Sequence, residues 1–244
     1  MKKEIFDWFN LNIHNIESDG GGGLNVDLPT FELTPRDFIA FAENDLKGDL
    51  TSYRLVNATS NLKRATDCEL DFLLTFLKLD DLYRKKKLGI DRKLGFFSQA
   101  GIFNARSLEK LNVFRNRLEH HYEIPDVHDV DVYFDLVTAF VSIGESFVSQ
   151  LMSLREIYFY STNSTGGNAV HSEVDISEPR IELILDKKEN QQIFSVNLNK
   201  SLKPNVETIL EFAFLLKVHI LLIHLFHGSM NNTRFLAELE KQLD

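Results

Sequence analysis

A short segment in the middle of the chain, VFRNRLEHHY, combines residues that could act on a phosphodiester. At about 100° per residue, Arg115 and Asn116 lie on one face of a helix and His120 continues it, whereas His121 falls near the apolar side. An arginine fork suits a phosphate whose charge grows in the transition state. A histidine can take a proton from a ribose 2′-hydroxyl or give one to the leaving oxygen. This segment is therefore a candidate site of phosphodiester chemistry.

The same segment also has a purely structural interpretation. Arg115 and Glu119 form an i,i+4 pair that would stabilise a helix, and Asn116 would then simply be exposed. The histidine pair lies near the expected end of that helix, where a cation interacts favourably with the helix dipole. The residue types alone favour this structural interpretation, so the catalytic one needs further support.

A basic run lies upstream of this segment. Residues 84–93 carry six positive charges and one negative charge, in a chain whose formal net charge is −9. Such a run is either a solvated connector between helices or a surface that contacts phosphate. For the second interpretation, the phosphate-contact candidates are Lys85, Lys86 and Arg92.

Cysteine and histidine usage argues against a resident metal or cofactor. Cys68 is the only cysteine, which excludes an intramolecular disulfide and a thiolate-built metal site and favours a reducing compartment. The late histidines His219, His224 and His227 lack ligand spacing and an accompanying carboxylate, so we expect core or edge positions for them. No metal and no cofactor are predicted.

The elements that must position the candidate residues are mainly helical up to residue 154. Thr34-Pro35 predicts a helix start, and apolar residues recur at helical spacing from Leu55 to Phe76. Glu69 falls on that same apolar spacing, so it is either buried with a partner such as Arg64 or Lys63, or lies at the edge while Cys68 points inward. The second alternative is favoured, because a buried carboxylate needs compensation.

Beyond residue 154 the pattern becomes extended. Alternating apolar residues at 180–185 and 192–198 predict a β-hairpin, and residues 206–226 predict a helix buried on most sides rather than a membrane span. Near the N-terminus, Trp8 should pack on the body while the four glycines at 20–23 act as a flexible connector. These patterns divide the chain into an N-terminal segment with a Gly-rich linker (1–33), a helical part (34–154) and a C-terminal extension (155–244).

The helical part resembles the HEPN family, the higher eukaryotes and prokaryotes nucleotide-binding domains. The resemblance rests on Arg115-Asn116, the four residues between Arg115 and His120, and Tyr122 one residue further, together with similarity in the helix over residues 55–68. It implies a mainly α fold: a HEPN-like antiparallel helical bundle followed by a C-terminal α+β extension that contains a β-hairpin and a long buried helix.

The resemblance also implies an activity and partners. HEPN domains of this type look like metal-independent endoribonucleases whose sites form where two copies meet, which implies a homodimer in toxin–antitoxin biology or antiviral defence. Arg115 would bind the phosphate, Asn116 would position it and His120 would act as general acid or base, with Glu119 and Tyr122 in support. In some such toxins the tyrosine is modified by a nucleotidyltransferase antitoxin, so Tyr122 is a modification candidate.

Composition limits the partners. The chain has 244 residues, 43% of them apolar and 26% charged, as expected for a globular protein with no secretory leader, and we expect a cytoplasmic one. Its acidity disfavours DNA binding and a general nucleic-acid coat. The excess acid lies in residues 124–244, which have 9 basic and 17 acidic side chains, so a local site for RNA or a nucleotide remains available in the first half.

The alternative to a ribonuclease is a non-catalytic HEPN module that binds a nucleotide, RNA or a partner protein, and no membrane is expected as a partner.

Overall fold

The computed structural model describes the chain except residues 24–25, 86–88, 105, 108, 111–112, 114–115, 118–123, 125, 163–167, 188–189, 200–205 and 244. The chain divides into two compact units. The sheet unit comprises Met1–Val26, Gln99–Gly101 and Ser149–Asp244, and the helical unit comprises Asp27–Ser98 and Ile102–Val148.

The described elements with continuous bounds are eight α-helices, one 3-10 turn and five strands. In chain order they are α1 (Lys2–Asn12), the 3-10 turn (Ile13–Asn15), β1 (Ile16–Gly22), α2 (Pro35–Asp45), α3 (Ser52–Phe76), α4 (Asp80–Lys85), α5 (Ile90–Gln99), α6 (Val127–Ser153), β2 (Glu156–Ser161), β3 (Asn168–Asp175), β4 (Arg180–Lys187), β5 (Asn190–Asn197), α7 (Val206–Phe226) and α8 (Asn232–Glu240). The described residues among 106–117 are helical as well.

The sheet is an antiparallel meander in the order β1-β2-β3-β4-β5. Ile157 on β2 lies opposite Ser172 on β3, which lies opposite Leu183 on β4, and all three are buried. Because side chains alternate between the faces of a strand, this register defines an inner face that α7 covers and an outer face that carries the intervening residues. The hairpin of β4 and β5 confirms the one that the alternating pattern predicts.

The mainly α prediction is wrong, because the structure combines 62% helix with a five-stranded antiparallel sheet over the described residues, which is an α+β fold. Strands β1 and β3 were not predicted from the sequence. β1 lies in the glycine run that resembles a connector, and its pairing partners on β2 are 134 to 145 residues away in the sequence, so no local pattern reveals the pairing. Strand pairing of this kind is a tertiary property.

Gly21 in β1 allows the strand to pack closely against Leu154. A Cβ at Gly21 would lie 2.4 Å from Leu154 Cδ2, so only a residue without a side chain lets the strand approach Leu154. The segment that looked like a flexible tether is thereby packed against the body of the sheet unit. In the same unit Trp8 is buried, as predicted, and the Phe9 and Phe235 rings of α1 and α8 meet edge to face at 4.8 Å.

Helix α2 of the helical unit begins where the sequence predicts a helix start. Thr34 caps α2 with a capping box, in which its side chain accepts from the Asp37 backbone N–H and the Asp37 carboxylate accepts from the Thr34 backbone N–H. α3 buries eleven residues along one face, Leu62 and Leu73 among them. Arg36 on α2 donates to Glu145 on α6 at 2.8 Å, which ties the two helices together.

Glu69 on α3 is buried and only 2% exposed, whereas Cys68 is partly exposed, so the favoured assignment of these two residues was wrong. The Cys68 thiol lies 3.6 Å from the Leu33 carbonyl oxygen. Glu69 faces Gly144 on α6, where an added Cβ would lie 1.9 Å from Glu69 Oε1. The carboxyl therefore occupies the space that the missing side chain of Gly144 leaves.

Gly144→Ala is expected to destabilise the protein by about 1–3 kcal/mol, because the methyl group overlaps a buried side chain whose surroundings are packed. The measurement is the free energy of unfolding in urea. Gly95→Ala is the matched control: Gly95 is also helical, no described atom lies within 4 Å of its added Cβ, and alanine there should stabilise by up to about 1 kcal/mol. Equal effects at the two positions would contradict the packing described here.

Within the part of the chain that the structure describes, two helices, α6 and α7, are long and apolar enough to cross a membrane by length and composition. In α7, 67% of the most apolar window is buried inside the structure, against 39% in α6. The burial of α7 agrees with its prediction as a core helix.

Candidate functional site

Most of the predicted catalytic segment lies outside the described residues. Arg115, Glu119, His120 and Tyr122 belong to that group. Asn116 is described, helical and exposed. An exposed Asn116 is expected whether the polar face of this helix binds a ligand or simply faces solvent.

Arg117, next to the predicted phosphate ligand, has a carboxylate partner. Its Nη1 lies 3.1 Å from Asp129 Oδ2 in the first turn of α6. Both side chains are substantially exposed, so the pair contributes at most about 1 kcal/mol. Arg117 therefore serves as a control for arginine charge in this segment.

The basic run borders a cleft in the helical unit. Lys86 and the Lys85 side chain lie outside the described residues, and Arg92 is exposed. The neighbouring cleft measures about 450 Å³. Its lining combines apolar, acidic and basic side chains, namely Phe31, Asp71, Leu74, Thr75, Asp80, Tyr83, Arg84 and Lys93.

Both cations of this cleft are bound to aspartates. Lys93 donates to Asp71, and Arg84 donates to Asp81. Burial raises the pKa of Tyr83, so its phenol stays protonated and can donate. An anionic ligand in this cleft would have to compete with the two aspartates for the cations.

The outer face of the sheet carries a second polar group, which the sequence analysis missed. His171 Nε2 lies 3.2 Å from Glu156 Oε1, and Arg155 Nη1 lies 2.7 Å from Glu173 Oε1. The Tyr158 ring stacks on the His171 imidazole, with centroids 4.5 Å apart and an interplanar angle of 3°. The only signal in the sequence was the alternation of polar and apolar residues along β2 and β3, which does not say which strands pair.

Hydrogen bonding tunes two of these groups. The Tyr158 hydroxyl donates to Glu156, which lowers the pKa of that carboxyl, and the same bond raises the pKa of Tyr158 to about 12. Glu156 is therefore ionised at neutral pH. Among the described residues, Glu156, His171 and Glu173 form a group whose potential ligand atoms all lie within 4.8 Å of one another, and carboxylate plus imidazole is a donor set that metal ions accept.

A serine and a histidine meet inside the sheet unit, but they are fully buried. His219 Nδ1 lies 2.8 Å from Ser172 Oγ, and its Nε2 lies 2.9 Å from the Leu154 carbonyl oxygen. Because a carbonyl only accepts, Nε2 carries the proton and Nδ1 accepts from the serine hydroxyl. Burial lowers the pKa of His219 to about 4, so the ring is neutral and the pair is a core linkage that substrate does not reach.

Ser172→Ala is expected to cost about 1–3 kcal/mol of stability, since it leaves His219 Nδ1 buried without its donor. Urea unfolding at pH 7 measures the loss. Ser195→Ala, on the exposed side of β5, should change stability by less than about 0.5 kcal/mol. A loss at Ser172 no larger than at Ser195 would show that the buried bond contributes nothing.

A scan against protein-family models, a search of curated proteins and a search of solved structures each found no match to this chain. The roles of its residues therefore rest on their own chemistry and on the geometry described above.

Proposed function

We propose that the protein is a metal-independent endoribonuclease that uses Arg115, Asn116 and His120. The proposal is carried by their spacing, which sets a phosphate ligand, a polar positioning group and a proton-transfer group on one helical face. The exposure of Asn116 is compatible with a substrate reaching that face. The likeness of this segment to the HEPN motif supports the same assignment.

The proposed reaction breaks one P–O bond and forms another. The ribose 2′-oxygen attacks the adjacent phosphorus, the bond from phosphorus to the 5′-oxygen breaks, and the products are a 2′,3′-cyclic phosphate and a 5′-hydroxyl end. The 2′-hydroxyl loses a proton and the leaving 5′-oxygen gains one, and His120 serves one of these transfers. Arg115 stabilises the charge that grows on the phosphoryl oxygens.

We propose further that two copies of the chain assemble the site, so that a second His120 is available for the other proton transfer. Glu119 and Tyr122 border the site as supporting residues. Tyr122 is also where a nucleotidyltransferase antitoxin would modify and silence the enzyme. Light scattering tests the assembly, since a strictly monomeric protein would contradict a composite site.

The experiment that tests the function is RNA cleavage by purified protein in excess EDTA. We expect endonucleolytic products that end in a 2′,3′-cyclic phosphate, with no requirement for added metal. DNA of the same sequence should remain intact because it lacks the attacking 2′-hydroxyl. Absence of RNA cleavage, or cleavage of DNA at a similar rate, would contradict the proposal.

The second candidate function is binding without turnover, and the cleft beside the basic run favours it. A volume of about 450 Å³ suits a small ligand such as a nucleotide, and Arg84 and Lys93 would meet its phosphate. Saturable nucleotide binding that Lys93→Ala abolishes, in a protein that does not cleave RNA, would favour this candidate over the ribonuclease.

A further inference from the structure

Three glutamates stand side by side on the outer face of the sheet. Glu156 on β2 lies opposite Glu173 on β3, which lies opposite Glu182 on β4. Like charges directly across neighbouring strands repel, so this row destabilises the sheet unless cations compensate it. Among the residues that the structure describes, the cations beside this row balance it only in part, as the neighbouring charges show.

Two arginines face this row. Arg155 pairs with Glu173, and Arg180 lies 3.4 Å from Asp175 Oδ2 and 3.8 Å from Glu173 Oε2. The three glutamates and Asp175 therefore supply four carboxylates against two guanidinium groups. Carboxylates thus exceed guanidinium groups by two in this part of the sheet, and a divalent cation bound among them would offset that excess.

We propose that Glu156, His171 and Glu173 bind one divalent transition-metal ion, of which Zn²⁺ is the representative. This inference does not rest on the proposed ribonuclease, whose residues lie elsewhere in the chain. Carboxylate oxygen and imidazole nitrogen are both ligand types that zinc accepts, and three such ligands leave the fourth position of a tetrahedral site for water. The imidazole favours a transition metal over Mg²⁺ or Ca²⁺, which prefer oxygen ligands.

The distances fit a site that closes around an ion. Ligand atoms about 2.0–2.2 Å from one tetrahedral zinc lie roughly 3.3 Å from each other. His171 Nε2 and Glu156 Oε1 are already 3.2 Å apart, and no pair of the candidate ligand atoms exceeds 4.8 Å. Rotation of the terminal carboxylates of Glu156 and Glu173 shortens the longer distances between ligand atoms to the value that zinc requires.

Neighbouring side chains orient the three ligands. The Tyr158 ring holds the imidazole plane by stacking, and its hydroxyl donates to Glu156. Arg155 binds Glu173 Oε1, while Glu173 Oε2 lies beyond hydrogen-bond distance of Arg180. Support of this kind fixes metal ligands in position and typically changes metal affinity 10–100-fold. The three ligand side chains are 18–25% exposed, so an ion can reach them from solvent.

The test is calorimetric titration of chelator-treated full-length protein with ZnCl₂, alongside MgCl₂. We expect one saturable Zn²⁺ site per chain and much weaker Mg²⁺ binding. Glu156→Gln and His171→Gln should each weaken Zn²⁺ binding at least 10-fold, and Tyr158→Phe, which keeps all three ligands, should weaken it less. Glu17→Gln is the matched control, because Glu17 lies on β1 and also accepts from a tyrosine hydroxyl, that of Tyr160.

Circular dichroism establishes that each variant folds. A second measurement needs no variant: NMR of the wild-type imidazoles should show one histidine, assigned to His171, change its resonances in proportion to bound Zn²⁺. The proposal is overturned if no saturable site exists, if His171 does not respond, if Glu156→Gln and Glu17→Gln bind Zn²⁺ equally, or if Mg²⁺ binds as tightly. RNA cleavage in EDTA is measured separately, so the outcome of either experiment leaves the other intact.

Discussion

Arg115→Ala and His120→Ala are each expected to lower the rate of RNA cleavage by about 10²–10⁴-fold. Loss of a group that stabilises transition-state charge costs about 10²–10³-fold, and loss of a general acid or base costs about 10²–10⁴-fold. The double variant should be little worse than the slower single variant, because residues that act as a unit are strongly non-additive. Single-turnover cleavage of a labelled RNA in EDTA measures these rates.

Arg117→Ala and His121→Ala are the matched controls for that prediction. Arg117 is two residues from Arg115 and pairs with Asp129, and His121 is predicted to lie on the apolar side of the helix. Both variants should retain cleavage within a few-fold of the wild type. A loss at His121 that exceeds the loss at His120 would reverse the assignment of the acting histidine, and equal retention in all four variants would remove this segment from the site.

The wild-type protein is expected to lose about 3–5 kcal/mol of stability between pH 4.5 and pH 8, and the Glu69→Gln variant is expected not to show this loss. Burial, together with repulsion from Glu145, raises the pKa of Glu69 to about 8 against the opposing effect of Arg36. Between the ordinary pKa of 4.5 and that value, the unfolded chain has released a proton that the folded chain keeps. The contribution of Glu69 to stability is therefore fully present below pH 4.5 and falls as the pH rises toward 8.

Urea unfolding of wild type and variant across this pH range measures the difference in slope. Glu43→Gln is the control, since Glu43 is exposed on α2 and pairs only with Lys47 in the part of the chain that the structure describes. Its curve should run parallel to that of the wild type. If the Glu69→Gln curve also runs parallel, Glu69 is ionised in the folded protein and has compensation beyond Arg36.

Helices α2, α3 and α7 are parts of the fold that the sequence predicted. The cap at Thr34 and the apolar spacing of α3 depend on residues three or four positions apart, so both can be identified from the sequence. The hairpin of β4 and β5 is likewise local. Strand β1 was not predictable, because its pairing with β2 and the close approach of Leu154 to Gly21 both join segments that are far apart in the sequence.

The same division holds for the candidate sites. The Arg115–His120 segment is visible in the sequence because helical periodicity, where a helix is predicted, converts spacing into a common face. Glu69 was misassigned because its burial depends on Gly144, a residue 75 positions away on another helix. Helical spacing predicts the direction of the Glu69 side chain. It does not reveal that Gly144 on α6 leaves space for the Glu69 carboxyl.

Helices α2, α3 and α7, the acidity of the C-terminal half and a segment with the residue types for phosphodiester cleavage were evident from the amino-acid sequence. The α+β fold, the contact of Ser172 with His219 in the core, and the convergence of Glu156, His171 and Glu173 on the outer face of the sheet became evident only in three dimensions. The physical reason is that a strand presents every second residue to a face and obtains its neighbours from other strands. The register between strands determines which side chains become neighbours across a sheet. That register is specified by which face of each strand is buried in the core.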